Sequence, residues 1–383
     1  MRTTPVPLNE PFSVYLDLVR FLAALAVVLM HLRQFRLIDM PGADHLTLLG
    51  RESVMAFFVL SGFVIAYTTQ TRRPSGLEYA IARAARIYSV ALPVLLLGFL
   101  CAAVIGSIPH VPGMDAHYQV TRAWFYIPFH LLFMGDLWRM AEYPPWLGPW
   151  WSLNYEVWYY VLFGVACYVR APWRLPAVVL VLAVMGYKLW LLLPVWLAGI
   201  ALYHWQARFR LGKTVARAGW LLSMVLLVAY EAGGVEETLR ATGRASWLGQ
   251  HLALGNADRF LADYLFGLIV LLNFACARFA DFTGLLGVAR PIRIFAAYTL
   301  TLYLSHALVL IGWPALYPHD PSSLADLLAL SAAVVLATAL LGKLTEQRKT
   351  AFRRLFEQLA RPLRPARLAA APTIPIKEKQ DEV

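Results

Sequence analysis

The chain has 383 residues, 60 % of them hydrophobic and only 15 % charged, with a formal net charge of +11. Soluble domains are close to half apolar, and here uncharged runs of about 15 to 20 residues, near the length that spans a bilayer, recur along most of the sequence, which excludes an ordinary soluble fold. The basic residues lie in short clusters between apolar runs rather than in one block, which argues against nucleic acid as a partner and for membrane topology.

In chain order, the apolar runs fall near 14–33, 52–70, 87–107, 122–138, 151–169, 175–189, 191–206, 218–232, 259–277, 293–314 and 323–343. No small-residue cleavage site precedes Arg33, so the first run is expected to be a retained helix. The run at 122–138 is interrupted by Pro128, His130 and Asp136 and is expected not to cross. Ten crossings then place Arg72, Arg73, Arg83, Arg86, Arg170, Arg174, the 208–217 group, Arg278, Arg290 and Arg293 on the cytoplasmic side, as positive-inside topology requires. The predicted fold is an all-α polytopic membrane bundle of about ten transmembrane helices, with both termini cytoplasmic and outer loops at 34–51, 108–150, 233–258 and 315–322. Pro194 is expected to mark the join between 175–189 and 191–206. The organisation expected is an N-terminal cytoplasmic segment at 1–13, a membrane domain at 14–345 and a basic, partly disordered cytoplasmic tail at 346–383, beginning as a surface helix. Cys101, Cys167 and Cys276 all fall in apolar runs, where a thiol acts as a small hydrophobe, and neither a disulfide framework nor a metal site is inferred.

Ionisable groups inside spanning helices are costly and usually paired or functional. In the first helix, Arg20 and His31 are eleven residues apart, about three turns and ~16 Å along one face, with Asp17 beside Arg20; an Asp17–Arg20 pair with His31 as a helix cap is the plainer reading. Trp150-Trp151-Ser152-Leu153-Asn154-Tyr155-Glu156 opens the helix at 151–169 on the same side as His31, where its carboxylate can meet that imidazole. The tryptophans also suit an interfacial aromatic belt. Ser305-His306 sets a second imidazole at similar depth. Arg83 and Arg86, just before the third helix, share a face and can clamp phosphate oxygens, although positive-inside topology alone also explains them.

The run from Leu16-Asp17-Leu18-Val19-Arg20 to His31 resembles the first helix of the acyltransferase 3 family of integral membrane proteins. Four further motifs follow in that family's order: Phe57-Phe58-Val59-Leu60-Ser61-Gly62-Phe63, the Arg83/Arg86 pair, Trp151-Ser152-Leu153-Asn154-Tyr155-Glu156 with Tyr159 or Tyr160, and Tyr303-Leu304-Ser305-His306. The resemblance covers about 13 to 350. Near its end the family often shows Glu-Arg-Pro where this chain has Glu346-Gln347-Arg348, so no role is carried over to Glu346. The resemblance implies an enzyme that moves an acyl group, acetyl being the one expected, from a cytoplasmic acyl-coenzyme A to a hydroxyl of a saccharide, glycolipid or other cell-envelope acceptor in a bacterial inner membrane, with no permanently bound cofactor.

Such O-acylation needs a base, oxyanion donors and a held thioester. The expected assignments are His31 as general base oriented by Glu156; Ser61, Asn154, Trp151, Ser305 and His306 as oxyanion donors or substrate anchors; and Arg20, Arg83 and Arg86 on the donor. A transporter or flippase also keeps charges inside a bundle, but the sequence has no internal repeat and its motifs lie on non-corresponding helices. A scaffold whose buried charges only specify helix packing is the third reading.

Overall fold

Ser75 and Glu78 form a reciprocal capping box, Glu78 receiving the Ser75 amide at 2.7 Å, and such a box satisfies two of the donors that a helix start orphans. In the computed structural model, which describes residues 7–42, 49–106 and 117–363, this box starts the third long helix at Gly76, so Arg83 and Arg86 lie inside that helix and not before it. The regular structure of the described residues is all helical, with no strand. The long helices are α1 (Glu10–Gln34), α2 (Glu52–Arg72) and α3 (Gly76–Ile105); the short α4 (His117–Thr121) and α5 (Ala123–Leu131) precede α6 (Trp150–Tyr168), α7 (Arg174–Met185), α8 (Tyr187–Gln206) and α9 (Lys213–Ala232). After α10 (Val235–Ala245) and α11 (Trp247–His251) come α12 (Phe260–Ala277), α13 (Ala289–Ala296), α14 (Thr299–Leu316), α15 (Leu324–Leu344) and α16 (Lys349–Leu359).

Among the described residues, eight helical stretches are long and apolar enough to cross a membrane. The ten expected crossings comprise these together with α6, which is long but richer in polar residues, and α7, which has only 12 residues. The chain is thus a polytopic membrane helix bundle. The nine residues of α5 are too few to span, and an irregular segment follows them. The α7–α8 break falls at Gly186, whose φ of 77° is open to glycine at no steric cost. Pro194 lies within α8 instead, a correction to the join expected there. The run expected at 293–314 is likewise split, with α14 starting afresh at Thr299.

Bonds between loops define two ends of the bundle. At one, Asn9 donates to the Arg278 carbonyl, Lys213 pairs with Asp281 and Arg293 with Glu10. At the other, the Asp39 amide donates to the Pro321 carbonyl, Arg51 donates to the Asn256 carbonyl and the Trp138 indole to that of Ala183. The basic clusters near 208–217 and 278–293 fall at the first end. Inside the bundle, α2 and α8 cross closely because Gly62 and Gly199 have no Cβ: one built at either position would collide with the Trp196 or Val59 carbonyl of the facing helix.

The segment after α5 is pinned by a buried polar cluster. Lys188, 1 % exposed, stands 3.8 Å from Asp136 and donates to the Met140 carbonyl. Asn154 and Tyr143 also donate to Asp136, at 2.8 and 3.1 Å. A buried charge pair holds only when its remaining polar atoms are satisfied, and these donors satisfy Asp136. Burial nevertheless pushes its carboxyl up to about 6. At the opposite end, residues expected to belong to the tail fold back: α16 packs on α3 through Phe356 and Tyr88. The disorder expected further along falls on 364–383, outside the described residues.

Candidate active site

Between α1, α2, α3, α6 and α14 lies a cavity of ≈ 160 Å³. Exposed Arg293, Gln347 and Lys349 frame its rim, while Arg20, Arg83, Arg86, Asp17, Glu156 and Glu346 line it further in. Beyond them the walls turn apolar, with Val54, Phe57, Leu153 and Leu300, and Ser152 and Tyr303 complete this part. Arg20 pairs with Asp17 at 3.1 Å, as the plainer reading of α1 anticipated. Arg86 makes no side-chain hydrogen bond or ion pair among the described residues, and the buried Nε of Arg83 has no acceptor. Arg83 instead lies over the Tyr160 ring, 5.7 Å from its centroid. The other two carboxylates are held by neutral donors: Glu156 Oε1 accepts from both Ser61 Oγ and Tyr160 OH at 2.5 Å, and Glu346 Oε2 accepts the Thr301 amide and hydroxyl at 3.1 and 3.0 Å.

Next to Tyr303 on α14, one turn further along, sits His306. Its Nε2 is 3.2 Å from Nδ1 of His31, and the ring centroids are 5.0 Å apart. Each Nδ1 also meets a carbonyl in the preceding turn of its own helix, His31 that of Val27 at 2.8 Å and His306 that of Leu302 at 3.0 Å. A carbonyl can only accept, so both rings carry their proton on Nδ1. His306 Nε2 then accepts from His31, and His31 Nε2 keeps a lone pair that no described residue occupies. His31 is thereby set up as a proton acceptor.

A family model described as "Acyltransferase domain" matches residues 13–342. The chain belongs to the acyltransferase 3 family. Among curated proteins, it is 31 % identical over 137 residues to "Exopolysaccharide production protein ExoZ" of Rhizobium meliloti (strain 1021), a match that covers 35 % of this chain and 39 % of that relative. No solved structure matches.

Within this acyltransferase 3 bundle, the expected site residues separate into three groups. Arg20, Arg83, Arg86, Ser61 and Glu156 share the cavity, and His31 and His306 form the imidazole pair beyond Tyr303. The expected His31–Glu156 bond is not made: Ser61 and Tyr160 hold Glu156, while His31 is oriented by Val27 and His306. Asn154, Trp151 and Ser305 stand apart. Asn154 is fully buried on Asp136, so its amide anchors the segment after α5. Trp151 has the Arg51 guanidinium over one face at 4.6 Å and Phe58 and Tyr155 around it, which leaves no open face for a sugar. Ser305 is buried with an unpartnered hydroxyl and does not line the cavity.

Glu346, Gln347 and Lys349 join the site although the sequence departs from the family's Glu-Arg-Pro there. Lys188, a lysine within an apolar run, carried a usable signal of its own, since such a group calls for a partner.

Proposed function

We propose that the chain is a membrane-embedded O-acyltransferase that moves an acyl group, acetyl being the one expected, from acyl-coenzyme A to a hydroxyl of a saccharide or another cell-envelope acceptor. One observation carries this reading. Among the described residues, one cavity joins two arginines that have no acceptor of their own to a wall behind which an imidazole keeps a free lone pair. The arginines suit the phosphates of coenzyme A, whose nucleotide cannot enter hydrocarbon, and bidentate guanidinium–phosphate bonds are strong and specific. The thin pantetheine arm then reaches inward past Glu156 toward Phe57 and Tyr303.

In the reaction, the acceptor oxygen attacks the thioester carbonyl carbon as His31 Nε2 takes the hydroxyl proton. The tetrahedral intermediate collapses, the carbon–sulfur bond breaks and the coenzyme A thiolate leaves, receiving that proton to become the thiol. His306 holds the His31 ring in position. The end of the bundle that carries the cavity rim also carries the basic loops, and the positive-inside rule supports a cytoplasmic orientation for that end in a bacterial inner membrane. Acceptor hydroxyls would come from the other side. The name of the relative, an exopolysaccharide production protein, supports a surface saccharide as acceptor.

The test is transfer of label from [14C]acetyl-coenzyme A to a saccharide by purified protein in detergent. His31→Ala should lose transfer by about 10²-fold or more while keeping its elution volume and melting temperature. Near wild-type transfer by this variant removes His31 as the base, and a wild-type protein that forms no ester removes the reading altogether. Mass spectrometry of surface glycans with and without the protein should show the added acyl mass.

A further inference from the structure

We infer that the Tyr303 hydroxyl is the hydrogen-bond donor to the thioester carbonyl, held by Ser152 until the donor arrives; this inference rests on the proposed acyl transfer. An oxyanion donor must line the cavity, stand next to the base and have a proton it can redirect. Most cavity hydroxyls fail the last condition. Ser61 and Tyr160 are committed to Glu156, and Ser89 and Thr299 to the backbone carbonyls of Arg86 and Ala296.

Tyr303 lines the cavity, contacts the base's partner His306 and has a proton that it can redirect. Its hydroxyl is 2.6 Å from Ser152 Oγ, and each of the two oxygens also lies 3.3 Å from the Pro149 carbonyl. Ser152 can therefore keep that carbonyl as its own acceptor while Tyr303 turns its proton to a ligand, so the exchange orphans no buried group. The ring is fixed on both sides, by Phe57 at 5.7 Å in an edge contact and by His306 at 6.3 Å. His306 in turn touches His31. A carbonyl whose oxygen meets the Tyr303 hydroxyl would thus have its carbon beside the imidazole pair. When acceptor oxygen adds to that carbon, the negative charge on the carbonyl oxygen is stabilised by the phenol. As the carbon–oxygen double bond reforms and the thiolate departs, Tyr303 keeps its own proton.

The experiment compares wild type with Tyr303→Phe, which retains the ring between Phe57 and His306. For the labelled transfer assay, kcat should fall about 10²- to 10³-fold, as for loss of one oxyanion donor, with KM for acetyl-coenzyme A within about twofold. Calorimetric binding of free coenzyme A and the melting temperature should be unchanged, and the pH dependence of the residual activity should keep the wild-type shape, since His31 is intact. Three outcomes overturn the inference: kcat within about threefold of wild type; a rise in KM with kcat retained; or loss of activity together with loss of coenzyme A binding or of the folded state. A wild-type protein without transferase activity would instead overturn the reading on which the inference rests.

Discussion

Arg86 and Arg293 both line the cavity, yet they should contribute very differently to donor binding. Arg86 sits within α3, partly buried, with no hydrogen bond or ion pair for its side chain among the described residues, whereas the Arg293 side chain is 41 % exposed and already paired with Glu10 at 3.1 Å. A hydrogen bond to a charged group contributes about 1.5–3 kcal/mol, which corresponds to about 10- to 150-fold in Kd. Arg86→Met should therefore weaken coenzyme A binding by that factor, and Arg86→Lys should fall between the two, since it keeps the charge but loses the planar fork. Arg293→Gln removes an exposed pair worth at most about 1 kcal/mol, so its Kd should change less than about fivefold. Isothermal titration of purified protein with coenzyme A at low and high ionic strength separates the two, because the contribution of the exposed group is screened by salt and that of the partly buried one much less. Equal losses for Arg86→Met and Arg293→Gln, or wild-type affinity in Arg86→Met, would refute the assignment of Arg86 to the donor phosphates.

Two further predictions concern the cluster that pins the segment after α5. Lys188→Met strips the cation from a buried Asp136 and should cost about 3–5 kcal/mol, while adding Asp136→Leu should restore much of that loss; a thermal melt in which the double variant is no better than the single one contradicts the pairing. Burial holds the Asp136 carboxyl at about 6, above its usual 3.8, so between those values the folded chain binds a proton that the unfolded chain does not. Wild type should consequently gain stability over Asp136→Asn as the pH is lowered from 7 toward 4, and a gap in melting temperature that is flat or shrinks over this range tells against the buried carboxyl.

Runs of apolar residues located the eight described stretches long and apolar enough to cross, and α6 and α7 besides, because the bilayer imposes a length and a composition that a single sequence displays directly. Helix starts were less visible. The third apolar run begins at residue 87, but the capping box at Ser75 begins its helix three turns earlier, and this moved Arg83 and Arg86 from a boundary into a helix wall. Pairings across the bundle were the least legible. His31 and Glu156 have the right chemistry for a base and its orienting carboxylate, and nothing local distinguishes that pairing from the one found, where His31 turns to His306 and Glu156 to Ser61 and Tyr160. Rotation of each helix about its axis decides such a choice, and residue spacing within one helix does not encode it. Glu346 shows the same limit from the other direction: a broken local pattern left it without a role, yet the start of α14 supplies Thr301 to hold it in the cavity.

The choice of partners for the carboxylates bears on how the cavity can bind an anion at all. It is lined by five cationic side chains, Arg20, Arg83, Arg86, Arg293 and Lys349, and three carboxylates, Asp17, Glu156 and Glu346. Arginines clustered inside a bundle without counter-charge would be expensive to insert, and arginines locked into direct ion pairs would have to break those pairs before taking up a phosphate. The arrangement avoids both costs. Hydroxyl and amide donors, and no arginine, hold Glu156 and Glu346, so their charge moderates the repulsion among the guanidinium groups without occupying the N–H groups of Arg83 and Arg86. An incoming anion then meets the remaining surplus of positive charge and the open donors of Arg83 and Arg86 together, whereas Arg20 is tied to Asp17 and Arg293 to Glu10.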